Sequence, residues 1–284
     1  PLWVCRTASS TEKAMPKKTE PGYDPIALAA ATEKVVVAGN RRKYANLARP
    51  LRFYGGTTSA TEVGCNLRCA FCFSDKPVRK PGSTGRFYTP QEVFGALTAS
   101  AKRHGHKLIS ASASEGTLGR THLFELLELV DQSPYVFILE SNGITLSDPE
   151  FAQQLSRFRN LHVRVSIKGT NPDEYHTLTG ARPSSFELPF QALRNLIDAG
   201  VSVNACVMTS FSTEEGVEEV QKRLAKIHPG ILKSVELETI TLFPKVAARL
   251  KKAGLTPTRI RHRGKIINLD TTSDSPAPQE HRNQ

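Results

Sequence analysis

The chain has 284 residues, 39% of them hydrophobic, with 38 Lys and Arg against 27 Asp and Glu. That is apolar material enough for one large domain or two small ones; no run of about 18 apolar residues occurs, so a membrane-spanning helix is not expected, and Pro1-Leu2-Trp3-Val4-Cys5 is too short for a signal-peptide core. A net charge of +11 attracts polyanions: nucleic acid, an acidic protein partner or a phosphate-bearing substrate.

Residues 1–24 read as a tail, with Lys13, Lys17 and Lys18 among Pro16, Pro21 and Gly22 and no periodicity. Asp24-Pro25 is a cap followed by a first-turn proline, and Ile26, Leu28, Ala29 and Val35 predict one helical face up to the stop at Gly39-Asn40. Residues 40–57 read as a basic, aromatic connector carrying Arg41, Arg42, Lys43, Tyr44, Arg49 and Arg52 and ending in Tyr54-Gly55-Gly56. Residues 25–57 thus form an N-terminal extension, and the main domain is expected over 58–255, opening with a strand at 59–63.

That strand feeds Cys65-Asn66-Leu67-Arg68-Cys69-Ala70-Phe71-Cys72, which holds three of the five cysteines at C-x3-C-x2-C spacing. Thiolates are soft ligands, suited to iron–sulfur rather than to magnesium or calcium. A [4Fe–4S] cube takes four thiolates, so three on one loop leave one iron open to a small molecule. A disulfide would leave one cysteine over, and a basic chain without a signal peptide points to a reducing compartment, the cytoplasm by default. Zinc wants four ligands, and His104 or His106 would have to supply the fourth.

With Phe71 in its aromatic slot, the loop resembles the C-x3-C-x-aromatic-C signature of the radical S-adenosylmethionine (radical SAM) superfamily. The resemblance implies that Cys65, Cys69 and Cys72 hold a [4Fe–4S] cluster, that SAM chelates its open iron, and that Phe71 covers the apolar side near the adenine. It implies a reductant protein of flavodoxin or ferredoxin type, whose electron, passed through the cluster, cleaves SAM to methionine and a 5′-deoxyadenosyl radical that abstracts hydrogen from a substrate.

Beyond the loop, short β runs alternate with helical patterns. Helices are predicted at 89–103, with Val93, Leu97 and Ala101 inward, and at 122–131, with Leu123, Leu126, Leu127 and Val130 inward. Further helices are predicted at 148–158, 185–199, 213–227 and 243–253, and strands at 107–111, 135–140, 161–167, 201–208 and 233–239. The class is α/β, and six repeats are too few for a closed eight-stranded barrel. They fit a partial (β/α)6 three-quarter TIM-type barrel with an N-terminal helical extension. Residues 256–284 read as a basic, then polar, tail.

In parallel β/α folds the site lies at the C-terminal strand ends. After 107–111 comes Ser112-Ala113-Ser114-Glu115-Gly116, where the family has Gly-Gly-Glu-Pro and uses its backbone to hold the SAM amino group. Ala113 and Ser114 replace the glycines, Gly116 the proline, and Glu115 remains. Ser141-Asn142-Gly143 looks like the Thr-Asn-Gly of activating enzymes in the family. Ser166-Ile167-Lys168 and Leu178-Thr179-Gly180 resemble the small pyruvate formate-lyase activating enzyme group, with Ser166 where those enzymes carry Asp. The resemblance therefore implies SAM contacts from Ser114, Glu115, Asn142, Ser166 and Lys168. Glu236 and Glu238 share a strand face and need a counter-charge or a cation. Cys206 reads as buried packing and Cys5 as inert, so no second cluster is expected. Three functions stay open: hydrogen abstraction from a protein partner's glycine, modification of a nucleic acid or anionic metabolite, and a non-catalytic iron–sulfur or zinc protein.

Overall fold

In the computed structural model, which describes residues 20–269, Asp24 accepts from the backbone N–H groups of Ile26 and Ala27 and starts α1 (Pro25–Val36). Cys5, the tail lysines and the polar stretch from 270 lie outside the described residues. α1 buries Pro25, Ala29, Thr32 and Val36 and leaves Ile26 and Val35 exposed, so its inward face is rotated from the expected one. The partner sets that face: α1 lies on Gly64 (φ +97°), where an added Cβ would stand 2.9 Å from the side chains of Thr32 and Val36.

The expected connector is instead a strand. After β1 (Val37–Ala38) the chain turns at Gly39 into β2 (Arg41–Leu51), antiparallel to both β1 and β3 (Thr57–Glu62). Arg42 and Tyr44 point inward and are buried while Arg41 is exposed. The alternation of a strand is present, masked because one inward residue is an arginine.

From β3 onward the sheet is parallel, in the order β3, β5 (Leu108–Ser112), β6 (Val136–Ser141), β7 (Leu161–Lys168), β8 (Val203–Met208) and β9 (Glu236–Glu238). β4 (Arg86–Tyr88) pairs with β2, on the far side of β3, and β9 does not pair with β3, so the barrel is open. Along β7, Leu161, Val163, Val165 and Ile167 join the hydrophobic core, while His162, Arg164, Ser166 and Lys168 alternate onto the concave side.

The crossover helices are α3 (Pro90–His104), α4 (Arg120–Asp131), α5 (Pro149–Leu155), α6 (Pro172–Thr179), α7 (Leu188–Asp198) and α8 (Glu214–Ile227), with the short α2 (Lys76–Arg79) after the cysteine loop. Their ends are written locally: Thr89 and Glu92 form a reciprocal capping box on α3, and Thr213 caps α8. α6 was not expected from the sequence. Its Asn171 cap, Pro172 and the left-handed Gly180 that ends it span only two turns.

After β9 come α9 (Pro244–Lys252) and, in place of the expected tail from 256, a hairpin of β10 (Arg259–His262) and β11 (Lys265–Asn268). Arg263 and Gly264 turn it with positive φ, and it is fastened by Thr258 N–H to Ser210 O at 2.7 Å and Arg261 N–H to Ile240 O at 2.7 Å. No helix among the described residues is long and apolar enough to cross a membrane.

Candidate functional site

β3 releases the cysteine loop on the face where all six parallel strands end. The loop's carbonyls are gripped by arginines. Arg68 Nη1 donates to Cys65 O (2.5 Å) and Leu67 O (3.0 Å), and Arg79 Nη2 to Cys69 O (2.8 Å). Arg249 of α9 donates to Ala70 O (3.1 Å) and to Cys72 O. On the amide side, Ala70 N–H reaches Leu178 O (2.9 Å), and Arg68 N–H reaches the Tyr23 hydroxyl (2.8 Å), which itself donates to Thr179 O (3.0 Å). The end of α6, expected only as a Thr-Gly loop, is thus the shelf under the cysteines. Asp75 ties α9 to the loop through Lys245 at 2.8 Å and Arg249 at 3.6 Å.

Cys65, Cys69 and Cys72 are free thiols. Burial pushes Cys69 up to about 12, against the opposing charge of Lys168 and with Cys72 adding to the rise. Burial likewise raises Cys65, reinforced by Glu115, Cys69 and Cys72. Burial raises Cys72 too, against a backbone hydrogen bond at Ser74 and the cations Lys168, Arg79 and Arg249.

Among the described residues no three His, Cys, Asp or Glu side chains converge on a point where one ion could sit. Ligands of a single zinc lie about 2.3 Å from it, whereas thiolates of a cube each take a different iron. The proposed fourth zinc ligands are at the wrong end of the sheet. His106 contacts Thr58 Oγ1 at 3.0 Å and His104 contacts Ser100 O at 2.9 Å, both ahead of β5. Thiols this desolvated ionise when a metal displaces the proton. With four cations around them, the donor set fits an anionic iron–sulfur cube.

The neighbouring strand ends are built differently. Ala113 has φ +73°, a left-handed conformation that glycine adopts freely and alanine does not. The backbone keeps a glycine's path although the glycine is gone. Ser114 Oγ donates to Glu62 O at 2.9 Å, so it fastens the loop to β3.

The buried Glu115 carboxylate accepts from Thr117 N–H (3.3 Å), Thr117 Oγ1 (2.6 Å), Ser141 Oγ (2.7 Å) and Asn142 N–H (2.9 Å). Asn142 Nδ2 donates to Asn66 Oδ1 at 2.6 Å and lies 3.9 Å from Cys65 Sγ. Ser114, Glu115 and Asn142 thus form a brace between strand ends, with their side chains already engaged. Asn66 Nδ2, in the cysteine loop, is buried without a partner.

Ser166 and Lys168 sit together on the concave side, Lys168 Nζ donating to Ser166 Oγ. Burial opposes the lysine's charge, yet Glu238, Cys69 and Cys206 together hold it above the usual lysine range. Phe71 is buried against Phe211, with ring centroids 5.9 Å apart.

The counter-charge that Glu236 and Glu238 require is Arg164, which sequence reasoning missed. Its Nη2 lies 2.8 Å from Glu236 Oε2, 2.6 Å from Glu238 Oε1 and 2.9 Å from Cys206 Sγ. Cys206 is fully buried. The Arg164 guanidinium also lies 6.0 Å from the ring of Tyr54, whose hydroxyl donates to Glu140 Oε1 at 3.2 Å. Only the pairing of β7 with β8 and β9 brings these groups together, so no local motif announces them.

An open, parallel β/α barrel with three cysteines on one strand-end loop is the build of enzymes that run radical chemistry from an iron–sulfur cluster. Residues 61–224 match the family model described as the Radical SAM superfamily; this is more than half of the chain, and the chain belongs to that superfamily. The superfamily's cofactors are a [4Fe–4S] cluster and SAM.

Among curated proteins it is similar to a probable GTP 3′,8-cyclase of Pyrobaculum aerophilum, 26% identical over 61% of this chain and 54% of that protein. It is also similar to a 7-carboxy-7-deazaguanine synthase of Methanothermobacter thermautotrophicus, 27% identical over 54% and 61%. The chain thus spans between half and two thirds of these relatives' lengths. Among solved structures it is similar to a radical SAM methyltransferase from Sphaerobacter thermophilus (15% identity, 74% of this chain and 76% of that one, TM-score 0.46) and to Streptococcus suis SuiB bound to S-adenosylmethionine (15% identity, 58% and 36%, TM-score 0.48).

Proposed function

We propose that this chain is a radical SAM enzyme that holds a [4Fe–4S] cluster on Cys65, Cys69 and Cys72, binds SAM beside it, and acts on an anionic small molecule. The observation that carries the reading is one strand-end loop that holds three free thiols, one buried and two half-buried, with its carbonyls gripped by Arg68, Arg79 and Arg249. When bound, the cluster supplies one electron to SAM, which yields methionine and a 5′-deoxyadenosyl radical able to abstract hydrogen.

The chain's own part is to bind and aim. Lys168, steadied by Ser166, carries the positive charge for the SAM carboxylate. The 113–114 backbone would hold the amino group. Phe71 on Phe211 offers an apolar wall to the adenine. Glu115 and Asn142 hold the strand ends in register.

The relatives' names favour a purine-type anion over a protein glycine, the reading that the likeness to small activating enzymes would suggest. Arg164 is already paired with Glu236 and Glu238, and Lys168 is assigned to the SAM carboxylate, so neither is left for the charged end of a substrate. Exposed cations for the charged end of a substrate lie instead on the two helices whose arginines grip the cysteine loop, Lys76 and the adjoining Lys80 at α2 and Lys251 and Lys252 at α9. Reduced thiols suit the cytoplasm and an electron donor of flavodoxin or ferredoxin type.

The test is anaerobic reconstitution followed by a 5′-deoxyadenosine assay with dithionite, with and without GTP or other purine nucleotides. Turnover that is lost in Cys69→Ala and accelerated by a purine nucleotide is expected. A loaded cluster that gives no 5′-deoxyadenosine above the Cys69→Ala background rejects the enzyme reading. Acceleration only by a protein fraction rejects the small-molecule substrate.

A further inference from the structure

We infer that Arg42 is a positioning residue for SAM: from β2 it fixes the backbone of the 113–116 loop. The inference rests on the proposed SAM site. β2 lies outside residues 61–224, so Arg42 comes from beyond the segment that matches the family.

The side chain of Arg42 is 1% exposed. Its Nη2 donates to Glu115 O at 2.6 Å and its Nη1 to Gly116 O at 3.4 Å. Its Nε stands 3.3 Å from Glu62 Oε1, an ion pair not aligned as a hydrogen bond, and Glu62 Oε2 is buried without a partner. A guanidinium presents its donors in a rigid planar fork, so it holds two successive carbonyls and a carboxylate in one fixed geometry, whereas an ammonium's three donors rotate on a flexible stem. Because C=O and N–H of a peptide point opposite ways, this grip turns the N–H groups of Gly116 and Thr117 away from β2.

The loop needs such a hold. Ala113 sits in a conformation its own side chain disfavours, and the surroundings must impose it. Other parts of the same N-terminal unit press on the following turn. Glu33 Oε1 accepts from Gly119 N–H at 2.8 Å, and the ring of His122 is held between Asn40 O (2.8 Å) and the Tyr44 hydroxyl (2.9 Å). At Gly119 (φ +84°) an added Cβ would meet Val37 at 2.9 Å. α1, β1 and β2 thus form an outer wall for residues 115–122, and Arg42 brings a buried charge to the turn next to Ala113 and Ser114.

Arg42→Lys tests the fork, and Arg42→Gln combined with Glu62→Gln removes both buried charges so that neither is stranded. Each is reconstituted anaerobically beside wild type. Iron and sulfide per chain, thermal midpoint, and the SAM dissociation constant by equilibrium dialysis without reductant are then measured. Both variants are expected to keep wild-type iron and sulfide while SAM binding weakens about tenfold or more, with Arg42→Lys the milder. SAM binding within twofold of wild type in both variants overturns the inference, and so does loss of the cluster together with SAM. A fully loaded wild type that does not bind SAM sinks the proposed site itself, and this inference with it.

Discussion

The cysteine loop and the 113–119 loop lie side by side at the strand ends, yet their conformations come from different sources. The cysteine loop carries its chemistry in its own residues: three thiols at fixed spacing, with arginines added around its carbonyls. The 113–119 loop has Ala113 and Ser114 where glycines would make its path easy, and that path is held by Arg42, by the Ser114 bond to Glu62 O and by the Glu115 brace. A backbone path that glycine would adopt freely can therefore be imposed on another residue by its neighbours. A missing ligand cannot be supplied in that way.

The largest effect short of removing a cysteine is expected at Glu115, where the two loops meet. Glu115→Ala leaves three buried donors without their acceptor, the N–H groups of Thr117 and Asn142 and the Ser141 hydroxyl, while the Thr117 hydroxyl can turn to Thr145 Oγ1, and should cost about 4 kcal/mol. Denaturant unfolding of the apoprotein measures it. A loss under about 1 kcal/mol means that the brace is not what joins the loops.

The next effect concerns the wall behind the second loop and depends on pH. Burial, with help from Arg42 and against the Asn40 carbonyl, pushes His122 down to about 4. Asn40 O can only accept, so Nδ1 carries the proton and Nε2 accepts from Tyr44. Unfolded histidine titrates near 6.5. Between pH 6.5 and 4 the unfolded chain binds a proton that the folded one refuses. The stability from this histidine is therefore complete above 6.5 and is lost as pH falls, by roughly 3 kcal/mol. Glu62, which burial pushes up to about 7, takes up a proton on folding in the same window and acts with the opposite sign, so the readout is the difference: the stability of wild type minus that of His122→Gln should fall by that amount between pH 6.5 and 4. Parallel curves would contradict the assignment.

The smallest effect tests strain directly. Ala113→Gly relieves a left-handed alanine but adds unfolded-chain entropy, for a net gain of about 0.5 kcal/mol, or about 1–2 °C in Tm. A lower Tm would mean that Ala113 is not strained in place.

The same contrast decides what was legible in the sequence. The cysteine loop could be read because ligand type and spacing are chemical facts of one short segment. The helices α3 and α8 could be read because Thr89, Glu92 and Thr213 write their ends locally. β2 read as a connector because its inward side chains include Arg42, whose partners Glu62, Glu115 and Gly116 are known only after folding. The acid pair of β9 made no sense until strand pairing placed Arg164 between Glu236 and Glu238. Ser114, Glu115 and Asn142 could be picked out as polar residues at strand ends, but the engagement of their side chains with one another and with β3 depends on three strands meeting.

The central claim is that Cys65, Cys69 and Cys72 hold a four-iron cluster, and counting atoms tests it most directly. Anaerobically reconstituted protein should carry about four irons and four acid-labile sulfides per chain, with both counts collapsing in Cys69→Ala. One tightly bound zinc per chain, with no sulfide and no iron uptake, would contradict it.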